Sequence, residues 1–398
     1  MSRDFAPELE GFRQEVAQWL DDQLSGPFAH LRGLNNHVDL IPERREWEAA
    51  LGTARWSCIG WPEQWGGRGA SIEEQVIFAE EYARAKAPSR IGHIGIELAG
   101  PTILLHGTEK QKKQFLPAIA AGQDIWCQGY SEPNAGSDLS NVRTTAWLKD
   151  GRWIINGQKV WTSMAQFSDW VFVICRADSG THGASGLAYL LVPMNQKGVT
   201  VRPIRQMTGE AEFNEVFFDN AETAAENIVG QPGEGWKVAM STLAFERGVS
   251  TLGQQMQFRN ELEELVALAK ANGAAKSPLI RQRLAKAHVG LTVMRASALR
   301  MLANDDPNKT PAGAYTYKLY WALWHRALGE LAMDVQGLSG HVGTGEADFG
   351  ALTHMHLMSR SETIYAGTNQ IQRNIIAERA LGLPREARGA QHARAPQA

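Results

Sequence analysis

From the N-terminus to about residue 120, apolar positions recur at helical spacing, as in Leu9, Phe12, Val16, Trp19 and Leu20. Ser71-Ile72-Glu73-Glu74 and Thr108-Glu109-Lys110-Gln111 read as capping boxes, in which a hydroxyl and the side chain three residues on satisfy each other's backbone N–H. They predict one helix through about Arg84 and another stopping near Gly122. Trp61-Pro62 and Trp65-Gly66-Gly67 predict a loop between helices. From about Ile125 to Val229 the pattern changes to short apolar runs, such as residues 170–175, 187–192 and 216–218, separated by Gly, Pro, Asn or Asp. That is strand composition. Asp150-Gly151 and Asn156-Gly157 read as two hairpin turns, because both central residues of a type I′ turn need positive φ. Helical periodicity returns after Gly235 and persists to about Leu381, and the tail 384–398 is expected to fray. Helices, then strands, then helices predict an α+β arrangement: an N-terminal helical domain over 1–123, a middle antiparallel β-sandwich or barrel over 124–230, and a C-terminal helical bundle over 231–398.

Bulk properties narrow the class. With 398 residues, 43% hydrophobic and 21% charged, the chain suits a globular protein of two or three domains. A net charge of −3 with scattered Lys and Arg gives no nucleic-acid footprint, and Lys110, Lys112 and Lys113 read as a solvated helix face. No apolar run approaches the ~20 residues of a membrane helix, and no signal peptide opens the chain. Cys58, Cys127 and Cys175 lack metal-ligand spacing, so no metal is expected and a reducing, cytoplasmic address is.

Two polar clusters stand out. Residues 128–138 read QGYSEPNAGSD, able to offer backbone N–H groups and hydroxyls, and Trp161-Thr162-Ser163 adds an indole beside two hydroxyls. Held on one sheet by rigid turns, they suit a flat, polar, aromatic ligand. Farther on, Glu246 shares a helical face over residues 236–252 with Ala239, Thr242, Leu243, Val249, Ser250 and Gly253. A carboxylate on so apolar a stripe should have a raised pKa, which suits a general base near neutral pH; an ordinary structural ion pair is the competing reading.

Ser131-Glu132-Pro133-Asn134-Ala135-Gly136-Ser137-Asp138 followed by Trp161-Thr162-Ser163 resembles the flavin-holding motifs of the acyl-CoA dehydrogenase family. The resemblance covers essentially the whole chain. It implies that family's fold, with a C-terminal four-helix bundle at the core of a dimer or tetramer, and FAD as cofactor. It implies flavin contacts from Gln128, Tyr130, Ser131, Gly136, Ser137, Trp161, Thr162 and Ser163. Thr368-Asn369-Gln370-Ile371-Gln372-Arg373 is similar to a motif that reaches the flavin at a subunit interface, which adds Thr368 and Gln370. Gln336-Gly337-Leu338-Ser339-Gly340 matches a Q-x-x-G-G segment in part, which adds Gln336 and Gly340.

Ala244-Phe245-Glu246-Arg247 resembles the base-bearing D-L-E-R of the isovaleryl-CoA dehydrogenase branch, while Tyr365-Ala366-Gly367-Thr368 stands where the other branch has Y-E-G-T. The implied base is therefore Glu246, with Ser137 and Arg247 near the acyl-CoA. The expected reaction is α,β-dehydrogenation of an acyl-CoA to a trans-2-enoyl-CoA, with electrons passed to an electron-transfer flavoprotein. One departure stands against this. The family's R-x-x-F-G phosphate segment is replaced by Gln257-Phe258-Arg259-Asn260-Glu261. That keeps open a non-catalytic partner subunit of a heteromer, as in some steroid-degrading members, beside an oxidase or monooxygenase on the same fold.

Overall fold

The structure is a computed structural model, describing residues 7–34, 38–177, 180–245, 250–302, 312–342 and 350–385. Five helices come first: α1 (Pro7–Ser25), α2 (Ile41–Thr53), α3 (Ile72–Arg84), α4 (Gly100–His106) and α5 (Glu109–Ala120). Both expected capping boxes form. Ser71 Oγ accepts from Glu74 N, Thr108 Oγ1 accepts from Gln111 N, and each N3 side chain accepts from its cap's amide. A π-helical turn, Gly95–Ala99, leads into α4.

Seven strands follow: β1 (Trp126–Gly129), β2 (Thr145–Lys149), β3 (Arg152–Ser163), β4 (Trp170–Arg176), β5 (Leu187–Pro193), β6 (Val199–Ile204) and β7 (Phe213–Ala224). They form one sheet in the order β1-β4-β2-β3-β7-β6, with β5 also pairing β4. Pairing is antiparallel except that β1 runs parallel to β4 and β2 meets β4 at one parallel pair.

Asp150 and Gly151 take φ of 50° and 77° and close the β2–β3 hairpin as the sequence predicts. Asn156-Gly157 does not make a turn. It lies inside β3, where the register against β7 shifts between Ile155 and Gly157. The reason is nonlocal: a Cβ on Gly157 would sit 2.5 Å from Thr144 Oγ1 and 2.7 Å from Thr144 Cα. The glycine serves a close approach in a bulge.

The C-terminal helices are α6 (Gly235–Phe245), α7 (Ser250–Ala271), α8 (Pro278–Leu302), α9 (Ala312–Gln336), α10 (Ala351–Met358) and α11 (Asn369–Ile375). The expected helix over 236–252 runs into residues 246–249, which lie outside the described residues, as does the tail from 386. One buried cluster joins all three parts: Trp61 and Phe115 from the first helices, Trp126, Phe172 and Tyr189 from the sheet, and Val238 from α6. The Trp126 and Trp170 rings stack at 5.6 Å with Phe115 edge-on to both. Aromatics of this size dominate core energetics, so the sheet is clamped to the helices on its N-terminal side. A second cluster fills the bundle of α7, α8 and α9 and takes in Val76 of α3, which packs on α7.

Candidate active site

The first polar cluster is built around one buried cation. Lys159 of β3 is fully buried, and its Nζ donates to Glu132 Oε1 (2.8 Å), the Tyr130 carbonyl (3.0 Å) and the Ile174 carbonyl (2.7 Å). Glu132 also accepts from the amides of Arg143 (2.6 Å) and Thr144 (2.9 Å). Burial opposes both charges. It lowers the Lys159 pKa despite Glu132, whereas Lys159 and the amides overcome burial and hold Glu132 below the usual carboxylate range. The loop from Tyr130 to Thr144 is thus pinned at three points from beneath. Its tip (Pro133, Asn134, Gly136 and Ser137) is left exposed. A Cβ on Gly136 would meet nothing within 4 Å, and its φ is not left-handed, so nothing within the chain requires glycine there. A ligand approaching the backbone would. Lys159 was not singled out from the sequence, although it shares strand parity with the buried Trp153 and Ile155.

The Val160 amide donates to the Ser131 carbonyl (2.9 Å), which brings the second cluster beside the first. Trp161 lies in the second β3–β7 register shift, between Lys159 and Thr162. It takes φ of 61° and is 58% exposed, its indole edge-on to Phe213 at 6.2 Å. Left-handed backbone in a bulky non-glycine residue is strained and persists only where the surroundings over-determine it. Asn214 Nδ2 supplies part of that constraint by donating to the Thr162 carbonyl (3.0 Å). Thr162 Oγ1 and Gln128 Nε2 are buried without a hydrogen-bond partner in the chain. An open indole face, two orphaned polar atoms and an unhindered glycine fit a flat heteroaromatic ring with polar edges, such as a flavin.

Of the C-terminal residues, Gln336 and Gly340 form a second group, while Thr368 and Gln370 lie apart from it, beside the Lys318 turn of α9. Gln336 Nε2 and the Gly340 carbonyl both bond Thr353 Oγ1 of α10, at 3.3 and 3.1 Å. Thr368 caps α11, its Oγ1 accepting from Ile371 N (3.2 Å), and Gln370 is exposed. The two groups are joined by His354 of α10, whose Nε2 lies 3.2 Å from Glu210 Oε2 in the β6–β7 loop. That is an ion-pair distance without hydrogen-bond alignment. The same loop is bonded to the Trp161 cluster, where Met164 N donates to the Glu212 carbonyl (2.8 Å). Ser131, Tyr130 and Gln128 are therefore brought together with Trp161–Ser163, while Gln336 and Gly340 lie across the His354–Glu210 link and Thr368 and Gln370 stand at the start of α11. Glu246 and Arg247 lie outside the described residues.

A titratable cluster at this junction has no local signature in the chain. Burial pushes Glu212 up to about 7, against the pull of His93 and with Glu210 adding to it. Glu212 Oε2 has no hydrogen-bond partner. Glu210 raises His354 against burial. His93 Nδ1 donates to the Arg90 carbonyl (2.8 Å), and Arg90 is paired with Glu48. Glu97 is the exposed member of a π-turn whose other residues are buried. Surrounding protein still raises its carboxyl, against the pull of His93 and Arg90. Glu210-Ala211-Glu212 reads locally as a polar turn, so only tertiary packing reveals this group.

The departure at 257–261 also finds its reason. Phe258 is buried in the bundle and stacks on His325 at 4.2 Å, Glu261 Oε2 accepts from His325 Nε2 (2.7 Å), and Asn260 Nδ2 donates to the Ala83 carbonyl (3.0 Å). This stretch holds α7 to α9 and α3.

Models of the acyl-CoA dehydrogenase N-terminal, middle and C-terminal domains match residues 6–123, 127–221 and 233–381. Acyl-CoA dehydrogenase IpdE1 of Mycolicibacterium smegmatis is 52% identical over 395 residues, covering 96% of this chain and 100% of that protein. Among solved structures, a Tcur3481-Tcur3483 steroid acyl-CoA dehydrogenase is 27% identical with a TM-score of 0.85, over 97% of this chain and 100% of that one. The ChsE4-ChsE5 complex from Mycobacterium tuberculosis is 30% identical with a TM-score of 0.82, over 97% and 100%. On the domain matches and the whole-length identity, the chain belongs to the acyl-CoA dehydrogenase family and is an oxidoreductase of that kind.

Proposed function

We propose that this chain carries out FAD-dependent α,β-dehydrogenation of an acyl-CoA thioester to a trans-2-enoyl-CoA, with Glu246 as the base. The observation that carries the reading is Trp161: a bulky, exposed side chain on left-handed backbone, beside unpartnered Thr162 Oγ1 and Gln128 Nε2. Gln128, Tyr130, Ser131, Gly136, Ser137, Trp161, Thr162 and Ser163 would hold the cofactor from the sheet, and Gln336, Gly340, Thr368 and Gln370 from the C-terminal helices. When bound, FAD supplies a hydride acceptor for the substrate's β-hydrogen.

The chain's own part is to position and to move a proton. Glu246 would take the α-proton, Ser137 would contact the CoA thioester, and Arg247 would help to bind the substrate. The α-proton is too weakly acidic for an unaided carboxylate, so donors to the thioester carbonyl must stabilise the developing charge. Water excluded from the closed site strengthens those bonds. Ala366 occupies the alternative base position and cannot accept a proton.

Domain limits of 1–123, 124–230 and 231–398 are part of the proposal, supported by the change from helix to strand between Ala120 and Trp126 and back to helix at Gly235. So are a dimer or tetramer, transfer of electrons to an electron-transfer flavoprotein, and a cytoplasmic address, the last supported by three unpaired buried cysteines. No described helix is long and apolar enough to cross a membrane. The relative described as a steroid acyl-CoA dehydrogenase favours a steroid-derived acyl group.

A second reading, a subunit that acts beside a related catalytic chain, is favoured by the use of residues 257–261 in packing and by the likeness to the ChsE4-ChsE5 complex. The test is anaerobic bleaching of the flavin-loaded protein by short, branched, long and steroidal acyl-CoAs. Bleaching by the steroidal thioester is expected. Bound FAD that no acyl-CoA bleaches would sink the catalytic reading and leave the partner-subunit one. Rapid reoxidation by oxygen would point to an oxidase instead.

A further inference from the structure

Lys318 and His325 stand two turns apart on one face of α9, and both are buried against the segment 361–368. His325 Nδ1 bonds the Glu362 carboxylate at 2.8 Å, and its Nε2 bonds Glu261 of α7 at 2.7 Å. Burial alone would lower its pKa, yet the two carboxylates push it up to about 10, so it stays charged at neutral pH. Lys318 Nζ donates to the Glu362 carbonyl (2.7 Å) and the Gly367 carbonyl (2.8 Å). Its ammonium also lies 5.8 Å from the Trp321 ring. One residue, Glu362, is therefore gripped by its side chain and its backbone from the same helix.

The segment so held is a strained corner. Ala366 takes φ of 49° and Gly367 φ of 85°. Gln372 Nε2 of α11 donates to the Ala366 carbonyl at 3.0 Å. Ile364 is exposed, and the half-exposed Tyr365 ring lies 6.4 Å from the ring of Trp321 of α9. Left-handed alanine persists only when its surroundings over-determine it, and such strain gathers at functional sites. A buried ammonium whose acceptors are two backbone carbonyls of one corner, rather than a carboxylate, serves geometry before charge balance.

We propose that Lys318 is a positioning residue: through the carbonyls of Glu362 and Gly367 it fixes the Tyr365-Ala366-Gly367-Thr368 corner, and with it the Thr368 cap of α11, against the flavin and acyl-CoA. The second half of this statement rests on the proposed function; the first half does not, and the two are tested separately.

Hydrogen–deuterium exchange on the flavin-free protein reads the corner alone. Lys318→Met removes both hydrogen bonds and should speed exchange in peptides covering 361–372, with the rest of α9 unchanged. Gln372→Leu, which removes only the bond to Ala366, should loosen the same peptide and carries the test if Lys318→Met does not fold. In flavin-loaded protein, single-turnover reduction per bound flavin should fall about tenfold or more with little change in KM, as for misplaced rather than absent groups. Unchanged exchange in the variant would overturn the proposal, whatever the enzyme's activity. A loosened corner with an unchanged rate per flavin would overturn its role in the reaction. A wild-type protein that no acyl-CoA reduces would overturn that role together with the proposed function.

Discussion

Glu212 and Trp161 are the two residues on which the site's physical character rests most directly. Glu212 is nearly buried, one of its oxygens has no donor, and its pKa rises to about 7 from 4.5. Its folded value lies above its unfolded one, so its contribution to stability is full below pH 4.5 and is lost as pH rises through about 7. Above that, the charged form costs on the order of 3 kcal/mol. Glu212→Gln should therefore raise the unfolding temperature of the flavin-free protein at pH 8 and leave it nearly unchanged near pH 4.5. Equal shifts at both pH values would show that burial of the charge is not the cause. Trp161→Ala removes the open indole, and FAD retention through gel filtration should drop; full occupancy with an unaltered visible spectrum would place the ring elsewhere. The motif around Trp161 was legible because it is local and chemically distinctive. Glu212 and Glu97 were not, because their titration depends on protein brought in from other parts of the chain.

Among the elements, what could be read from the sequence divides along the same line. Both capping boxes were legible, because hydroxyl and partner lie three residues apart and need nothing else. The Asp150-Gly151 hairpin was legible for the same reason. Asn156-Gly157 carries an equally good local signal and yet lies within β3, because Thr144 approaches too closely for a side chain. The peg beneath the 130–144 loop, Lys159, reads locally as one more strand residue. Lys159→Met should destabilise the protein by about 3–5 kcal/mol, since it strands Glu132 as an unpaired buried charge. The double variant Lys159→Met/Glu132→Gln should recover part of that in a denaturant titration. No recovery would mean that the loss comes from the carbonyls of Tyr130 and Ile174, not from the ion pair.

For the whole molecule, the order helices–strands–helices was enough to give the architecture, but not how tightly the parts are joined. They share one aromatic cluster, and a charged seam runs between Arg13 of α1, Glu80 and Glu81 of α3, and Arg295 of α8. Domains so joined should unfold in one transition. The bundle leaves Leu279, Val289 and Val293 of α8 and Tyr320 and Leu323 of α9 exposed, more apolar surface on adjacent helices than a monomer usually carries. Light scattering should therefore find a dimer or larger at micromolar concentration, with itself or with a related chain; a stable, flavin-loaded monomer would contradict this. The central claim is that Glu246 removes the α-proton in an FAD-dependent dehydrogenation. Its most direct test is anaerobic single-turnover flavin reduction by the best acyl-CoA, wild type against Glu246→Gln, with FAD content and acyl-CoA binding measured in both. The account predicts a slowing of at least ~10²-fold at unchanged FAD content and binding. Reduction of Glu246→Gln at the wild-type rate would contradict it.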